Sequence, residues 1–364
     1  MRTSWVGQKS GLQSPKSSRS SGSANAHQNV ANYLARNRDN WMYGLPAHVV
    51  DLPNNLPTFI AVGGGKGGVG KSILSANLSA RFAQAGFKVL LVDLDLGSAN
   101  LHTYFGLGVP KRTLADFLLY ERSSFEDILL KTSAPGVFLA AGGNDETWAD
   151  SADYGSGAFV ALWDALIYAK KNLGVHVVVL DLGAGTHRHT IDFFTAAHMG
   201  IVSVLPEPTS IENAYSFLKA TMWRLIENAG MHINSCAAAD DVKEVLFSPY
   251  KDKSGGSYLR KLQKIQAEYP DLIEHIFLAL KGRQIGFVVN QIRSQRDIDI
   301  GNSMQVVSHN YFGFQTQSLG YLNYDDAAWK SLRNKRLLVL DFPHCILTKR
   351  IGDVASRTLS FLGY

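Results

Sequence analysis

Eight consecutive residues, Gly65-Lys66-Gly67-Gly68-Val69-Gly70-Lys71-Ser72, constrain this chain more than anything else in it. They satisfy G-x-x-x-x-G-K-[ST], and both flanks agree with the motif. The short apolar run Thr58–Gly63 precedes it; Ser72–Ala85 follows with helix-spaced Ile73, Leu78 and Phe82, and Gly86 is the stop. Such a loop cradles phosphate. Its glycines let successive N–H groups turn inward without Cβ clashes, and the helix start adds its positive dipole end. Gly65, Gly67, Gly68, Val69 and Gly70 are therefore expected to line a phosphate site. Lys71 is expected to reach the β- and γ-phosphates, and the Ser72 hydroxyl to ligate Mg²⁺.

Beyond the loop, strand and helix alternate. Lys88–Val92, Val137–Ala141, Val175–Leu180, Gly200–Leu205 and Gln284–Asn290 are apolar runs of buried-strand character, and Gly157–Asn172 reads as a helix. Uninterrupted apolar strands separated by helices predict an α/β fold of three layers: a mostly parallel sheet with helices on both faces. The rhythm breaks between about Met231 and Arg283. That segment is polar, carries Gly255–Gly256 and has helix-like stretches at Tyr258–Tyr269 and Asp271–Leu280, so it reads as a helical insertion decorating the sheet. The domain division is then a leader and linker over residues 1–57 and an NTPase domain over 58–364, with the insertion at about 231–283.

Two aspartate segments stand where such a fold keeps its ligands. In Val92-Asp93-Leu94-Asp95, the strand period puts Asp93 and Asp95 on one side, at the carboxyl end of the second strand. One suits a Mg²⁺-site or structural role and the other the orientation of an attacking water. Val178-Val179-Leu180-Asp181-Leu182-Gly183 ends an apolar strand in an aspartate and a glycine-rich turn, a Walker B arrangement. Asp181 would hold Mg²⁺ through water, and the Gly183 N–H would approach the γ-phosphate.

Lys66, a second lysine inside the loop, is more specific. Lys66–Ser72 reads K-G-G-V-G-K-S, and with it the chain resembles the MinD/ParA family of deviant Walker A ATPases. Gly63–Gly65, Asp95–Leu101 and the Leu-Gly-Ala-Gly-Thr run at Leu182–Thr186 resemble the FlhG/FleN branch, regulators of flagellar number. The resemblance implies ATP and Mg²⁺ as cofactors and a homodimer when ATP is bound. It also implies slow ATP hydrolysis accelerated by a protein partner, and a task in placing a flagellum, pole or division site. By the same resemblance Lys66 acts in trans on the partner's phosphates, Asp95 orients water, Asp93 lies near the phosphates and Mg²⁺, and Asn290 bonds adenine. Glu207, in the Pro-Glu-Pro turn, receives no role.

Charge narrows the choice of partners. The 364-residue chain carries 36 Lys plus Arg against 31 Asp plus Glu, but six of the basic residues and none of the acidic ones lie in the first 38. The remainder is near neutral, which weakens a ParA-type DNA-segregation reading; a non-hydrolysing nucleotide-gated scaffold is the other rival, opposed by intact Asp93, Asp95, Asp181 and Lys66. Ser14–Ser23 is too polar to fold, and the basic leader could lend weak attraction to anionic lipid, about 1 kcal/mol per Lys or Arg near the surface. The expected location is cytoplasmic, at most peripheral at the membrane. The stripe Ile351, Val354, Ala355, Leu359 and Leu362 reads as a core-facing last helix rather than a membrane anchor. Cys236 and Cys345 fit no metal or disulfide spacing, and His187 with His189 is a weak metal signal.

Overall fold

The computed structural model describes residues 56–95, 98–118, 124–143, 156–247 and 257–364. The basic leader, Leu96 and Gly97, and Gly255–Gly256 lie outside the described residues. Eight strands form one sheet in the order β3-β4-β2-β5-β1-β6-β7-β8. They are β1 (Thr58–Gly63), β2 (Val89–Leu94), β3 (Leu129–Lys131), β4 (Val137–Ala140), β5 (Val177–Leu182), β6 (Met199–Val204), β7 (Gln284–Ile292) and β8 (Gln315–Asn323). Every pairing is parallel except β3 with β4, at one edge.

The fully buried strands explain why their sequences do not alternate. In β1, Phe59 and Ala61 enter the core on one face while Ile60 and Val62 enter the core on the other. β2 and β5 divide in the same way, with Leu90 and Val178 on the first face and Leu91 and Val179 on the second. Both faces must therefore be covered by helices. One face receives α1 (Lys71–Gln84) through Leu74, Leu78 and Phe82. The opposite face receives α2 (Ser156–Leu173), α3 (Arg188–Ala196) and α4 (Pro208–His232) through Leu166, Ile191, Phe217 and Leu225.

The segment expected to be a decorating insertion is helical, but it does more than decorate. α5 (Cys236–Phe247), α6 (Tyr258–Ile265) and α7 (Pro270–Lys281) bury Val242, Leu246, Leu262, Ile273, Ile276 and Leu280 in the same core as α3 and α4. Their overall polarity hides apolar residues at helical spacing. A chain of ion pairs fixes them further. Arg224 on α4 pairs with Asp192 on α3 and, at 3.0 Å, with Glu227; Glu227 in turn takes Lys243 of α5 at 3.2 Å.

α8 (Gln295–Phe312) starts from a capping box between Ser294 and Asp297 and ends at Gly313, whose φ of 85° closes it. It is followed by α9 (Asp326–Arg333) and α10 (Ile346–Phe361). On α10, Ile351, Val354 and Ala355 are buried in the core beside α1, and Leu359 and Leu362 pack against it. The terminal stripe thus faces the protein interior, as its pattern predicts. Among the described residues, no helix is long and apolar enough to cross a membrane.

β1 and β6 are tied at their amino ends by His198. Its N–H donates to the Phe59 carbonyl at 3.0 Å, and its Nδ1 accepts the Phe59 N–H at 2.8 Å. Burial, reinforced by nearby Arg283, pushes the imidazole pKa down to about 3, so it is neutral in the fold. An unfolded histidine titrates near 6.5, so acidification below that value protonates only the unfolded chain and stability falls. Between pH 7 and pH 5 His198 should account for about 2 kcal/mol of lost stability. Urea midpoints of the wild type and His198→Asn at the two pH values check this, and an equal pH dependence in both proteins would refute it.

Candidate nucleotide site

The loop after β1 sits at the carboxyl end of the sheet, at the centre of the strand order, where chain connections diverge and α/β folds bind ligands. Its glycines serve two different needs. A Cβ on Gly65 would stand 2.0 Å from the Asn213 carbonyl oxygen on α4, and one on Gly70 would stand 2.1 Å from Asn290 Nδ2. Close packing of backbone against α4 and β7 excludes a side chain at both. Gly67 and Gly68, by contrast, have no atom within 4 Å of where a Cβ would lie. They border open space, and Gly68 has φ +76° and Gly70 φ +87°, which L side chains rarely adopt. Space for an anion and backbone able to curl around it occur together.

Lys71 and Ser72 open α1, the first helical residues after Gly70. Lys71 is buried, and burial lowers its pKa while the Asp181 and Asp95 carboxylates pull it back up. Asp181 ends β5 and faces Asp93 of β2 directly across the parallel pair. Both are buried almost completely, and desolvation pushes the pKa of each upward. For Asp181 the Ser72 and Ser75 hydroxyls and Lys71 oppose that rise; for Asp93 the Asp181 charge adds to it. Ser75 Oγ donates to Asp181 Oδ1 at 2.8 Å, whereas Asp181 Oδ2 is buried without a hydrogen-bond partner. An orphaned carboxylate oxygen beside the Ser72 hydroxyl fits a divalent cation held directly or through water.

The two aspartates of the β2 segment separate in role. Asp93 accepts the N–H of Leu101 on Oδ2 at 3.1 Å and the N–H of Asp95 on Oδ1 at 3.3 Å. It thereby ties the backbone at Asp95 and Leu101 to the end of its own strand. Asp95 lies beyond it, partly exposed, with Oδ1 3.3 Å from the Cβ position of Gly183. The Gly185 N–H donates to the Gly64 carbonyl at 3.3 Å. The phosphate loop, the Asp95 segment and the Gly183 turn therefore converge.

Lys66 points elsewhere. Its Nζ lies 3.4 Å from Glu207 Oε2, and the two side chains are 40% and 53% exposed. Asn290 lies near the end of β7. Its amide is directed at the loop, with Nδ2 donating to the Val69 carbonyl at 2.9 Å and Oδ1 accepting the Gln291 N–H at 2.8 Å. Each of these two polar atoms has a protein partner, and each retains one further hydrogen or lone pair. Sequence reasoning missed Ser75, Ser203 and Tyr104. Ser75 sits one turn beyond Lys71 on the buried face of α1, where a small polar residue was the available signal. Ser203 Oγ donates to the Val69 carbonyl at 2.9 Å. Tyr104 has its pKa pushed up to about 12, by burial first and then by Asp181 and Asp93. Among the described residues, no group of three His, Cys, Asp or Glu side chains could hold a metal ion, so His187 and His189 form no such site.

Comparisons with known proteins agree with this geometry. Over 163 residues the chain is 40% identical to the antiactivator FleN of Pseudomonas aeruginosa, covering 44% of this chain and 55% of FleN. It is 34% identical over 165 residues to the flagellum site-determining protein YlxH of Helicobacter pylori, covering 44% and 52%. The chain thus spans about half the length of these relatives. The fold is that of the cell division ATPase MinD of Pyrococcus furiosus, with TM-score 0.55 and 21% identity over 84% of this chain and 100% of that one. MinD of Pyrococcus horikoshii, solved with Mg-ADP, gives TM-score 0.55 and 20% identity over 85% of this chain and 98% of that one. The family model for the CobQ/CobB/MinD/ParA nucleotide-binding domain matches residues 60–339. With a sheet, a glycine-rich loop and two strand-end aspartate segments arranged in this way, the chain belongs to the CobQ/CobB/MinD/ParA nucleotide-binding family.

Proposed function

We propose that this chain is a MinD-like ATPase that binds ATP with Mg²⁺, dimerises in that state, and serves to position a cellular structure such as a flagellum. The observation that carries the reading is the unequal placement of the two loop lysines. Lys71 is buried among Asp181, Asp95 and the start of α1, as a ligand of the chain's own phosphates must be. Lys66 projects from the same loop toward solvent and pairs with the exposed Glu207 carboxylate. A lysine so placed is directed away from the nucleotide beneath it and toward one that a second copy would present. The FleN and YlxH relatives support a site-determining task, and the Mg-ADP complex of a MinD supports the choice of nucleotide.

The chain's residues divide the work as follows. The N–H groups of Gly67 to Gly70 and the Lys71 ammonium bind the phosphates and spread their charge. Ser72 and Asp181 would hold Mg²⁺, which when bound neutralises charge on the β- and γ-phosphate oxygens. Asp95 orients the attacking water, and the Gly183 N–H faces the terminal phosphate from the opposite loop. Lys66 of each subunit completes the other's site by stabilising charge in the transition state, which makes hydrolysis depend on the dimer. A protein partner would accelerate that step by favouring the assembled geometry. Any peripheral attraction to lipid would come from the basic leader, because the apolar stripe of α10 is used in the core.

Lys71→Ala should abolish ATP binding in equilibrium titration; retained affinity would remove the loop from the reading. Asp95→Ala should bind ATP with wild-type affinity, release phosphate at least about 100-fold more slowly, and accumulate as dimer in light scattering. Wild-type turnover by that variant would rule out its water-orienting role. Lys66→Ala should bind ATP normally and remain monomeric with it, and an undiminished dimer would refute the trans-acting lysine.

A further inference from the structure

We propose that Asn290 and Ser203 are positioning residues that together clamp the Val69 carbonyl, and so hold the phosphate loop in its binding shape before any nucleotide arrives. The inference rests on the reading of this loop as the ATP-binding element, and it gives Asn290 a task other than recognition of the base.

The Val69 carbonyl accepts two side-chain hydrogen bonds, from Ser203 Oγ and from Asn290 Nδ2, each 2.9 Å long. The donors come from neighbouring strands, β6 and β7, and the loop leaves β1 and passes over both. Val69, Ser203 and Asn290 are all buried, at 1%, 1% and 6% exposure. The carbonyl therefore depends on these donors rather than on water.

Peptide planarity transmits the clamp. The Val69 C=O and the Gly70 N–H belong to one trans peptide unit and point in opposite directions. Fixing the carbonyl toward β6 and β7 fixes the Gly70 N–H toward the cradle. The loop needs such a device because Gly68 and Gly70 flank the residue, both with positive φ. Glycine offers little resistance to rotation of the intervening peptides, so the feature that lets the loop curl would also let it flip.

The backbone of β7 is shaped to deliver the amide. The β7–β8 register shifts between Val289 and Ile292, and Gln291 adopts φ +56°, the left-handed region that a non-glycine residue rarely enters. That turn brings the Gln291 N–H onto Asn290 Oδ1 at 2.8 Å, which orients the amide so that its NH₂ group meets Val69. The fit is close: a Cβ on Gly70 would lie 2.1 Å from the same Nδ2. A strained residue at the end of a buried strand, spent on aiming a neighbouring side chain, is a mark of function.

The test separates a clamp from a base contact. Mg-ATP, Mg-GTP and inorganic tripolyphosphate with Mg²⁺ are titrated calorimetrically into the full chain and its variants. Asn290→Asp keeps the shape of the side chain but sets an acceptor against the Val69 carbonyl. It should weaken all three ligands by one common factor, about tenfold or more, with the ATP-to-GTP ratio unchanged. Ser203→Ala should show the same pattern with a smaller factor, about threefold, and decides the matter alone should Asn290→Asp not fold. Loss of ATP affinity with tripolyphosphate unaffected would return Asn290 to the base and overturn the clamp. A lowered thermal midpoint with unchanged affinities would overturn it as well, since that is the signature of general stability alone. Failure of the wild-type chain to bind any of the three would remove the nucleotide reading itself, which a failed variant in a binding-competent protein would not.

Discussion

Two carboxylates that face each other across β2 and β5 set the terms for the whole site. Asp93 and Asp181 are paired in register and nearly inaccessible to water, with Asp95 two residues away. Three carboxylates then stand against a single buried ammonium, that of Lys71. Burial makes this imbalance costly, because charge inside a protein is screened far less than at its surface. The chain offsets part of it with hydrogen bonds: Ser75 to Asp181, and the backbone N–H groups of Asp95 and Leu101 to Asp93. The upward pKa shifts of Asp93 and Asp181 express the remaining cost, which a divalent cation would relieve, and Asp181 Oδ2 is the oxygen without a hydrogen-bond partner that could meet it. The same Asp93 that repels Asp181 accepts the backbone N–H groups of Asp95 and Leu101, which links those positions to the electrostatics of the site.

Much of this was legible in the sequence because it depends on local pattern. An apolar run, eight loop residues and an amphipathic helix specify strand, phosphate cradle and helix without reference to the rest of the chain, and β1 and α1 fall within a residue or so of where the periodicity puts them. Asp95 and Asp181 follow from the ends of two further apolar strands. Less legible are features whose signal is non-local. β8 is amphipathic and polar, Gln315-Thr316-Gln317-Ser318 at its start, because it lies at a sheet edge and is only partly covered. β3 is three residues long and pairs antiparallel at the other edge. The helices between His232 and Gln284 read as decoration because the segment is polar and breaks the alternation of strand and helix, while their buried residues became meaningful only once α3 and α4 were in place to receive them. Asn290 shows the limit most clearly. Its position at a strand end was readable, but the object of its amide depended on how a loop 220 residues earlier passes over β6, a relation that no local pattern encodes.

The net charge of +5 is equally a non-local matter. As a whole-chain sum it suggests a polyanion partner, yet six of its basic residues fall in the first 38 and the folded domain is close to neutral. Within that domain many basic side chains are already committed. Arg224 and Lys243 are consumed in joining α3, α4 and α5, and Arg350 pairs with Asp353 at 3.2 Å. A body with near-zero net charge suits a protein that recognises a partner through a few placed groups better than one that grips phosphodiester through many.

The Lys66–Glu207 pair bears on how readily such recognition could start. Glu207 precedes Pro208, which opens α4 with φ preset for the helix, so the carboxylate is carried on a stiff turn. α4 also packs its Asn213 backbone against Gly65, which fixes the distance between that turn and the phosphate loop. The ion pair is nevertheless half in solvent, where such contacts contribute between about 0 and 1 kcal/mol. An interaction of that size can favour one direction for a long lysine side chain without trapping it. Lys66 is therefore held clear of its own nucleotide site at little cost, and a phosphate presented by a second subunit, bearing several charges in a desolvated interface, would outcompete a single exposed carboxylate. A stronger bond would have made the monomer inert, and no bond at all would have left the ammonium free to fold back on to its own phosphates. On the proposed reading, the weakness of the contact would let one loop serve two sites.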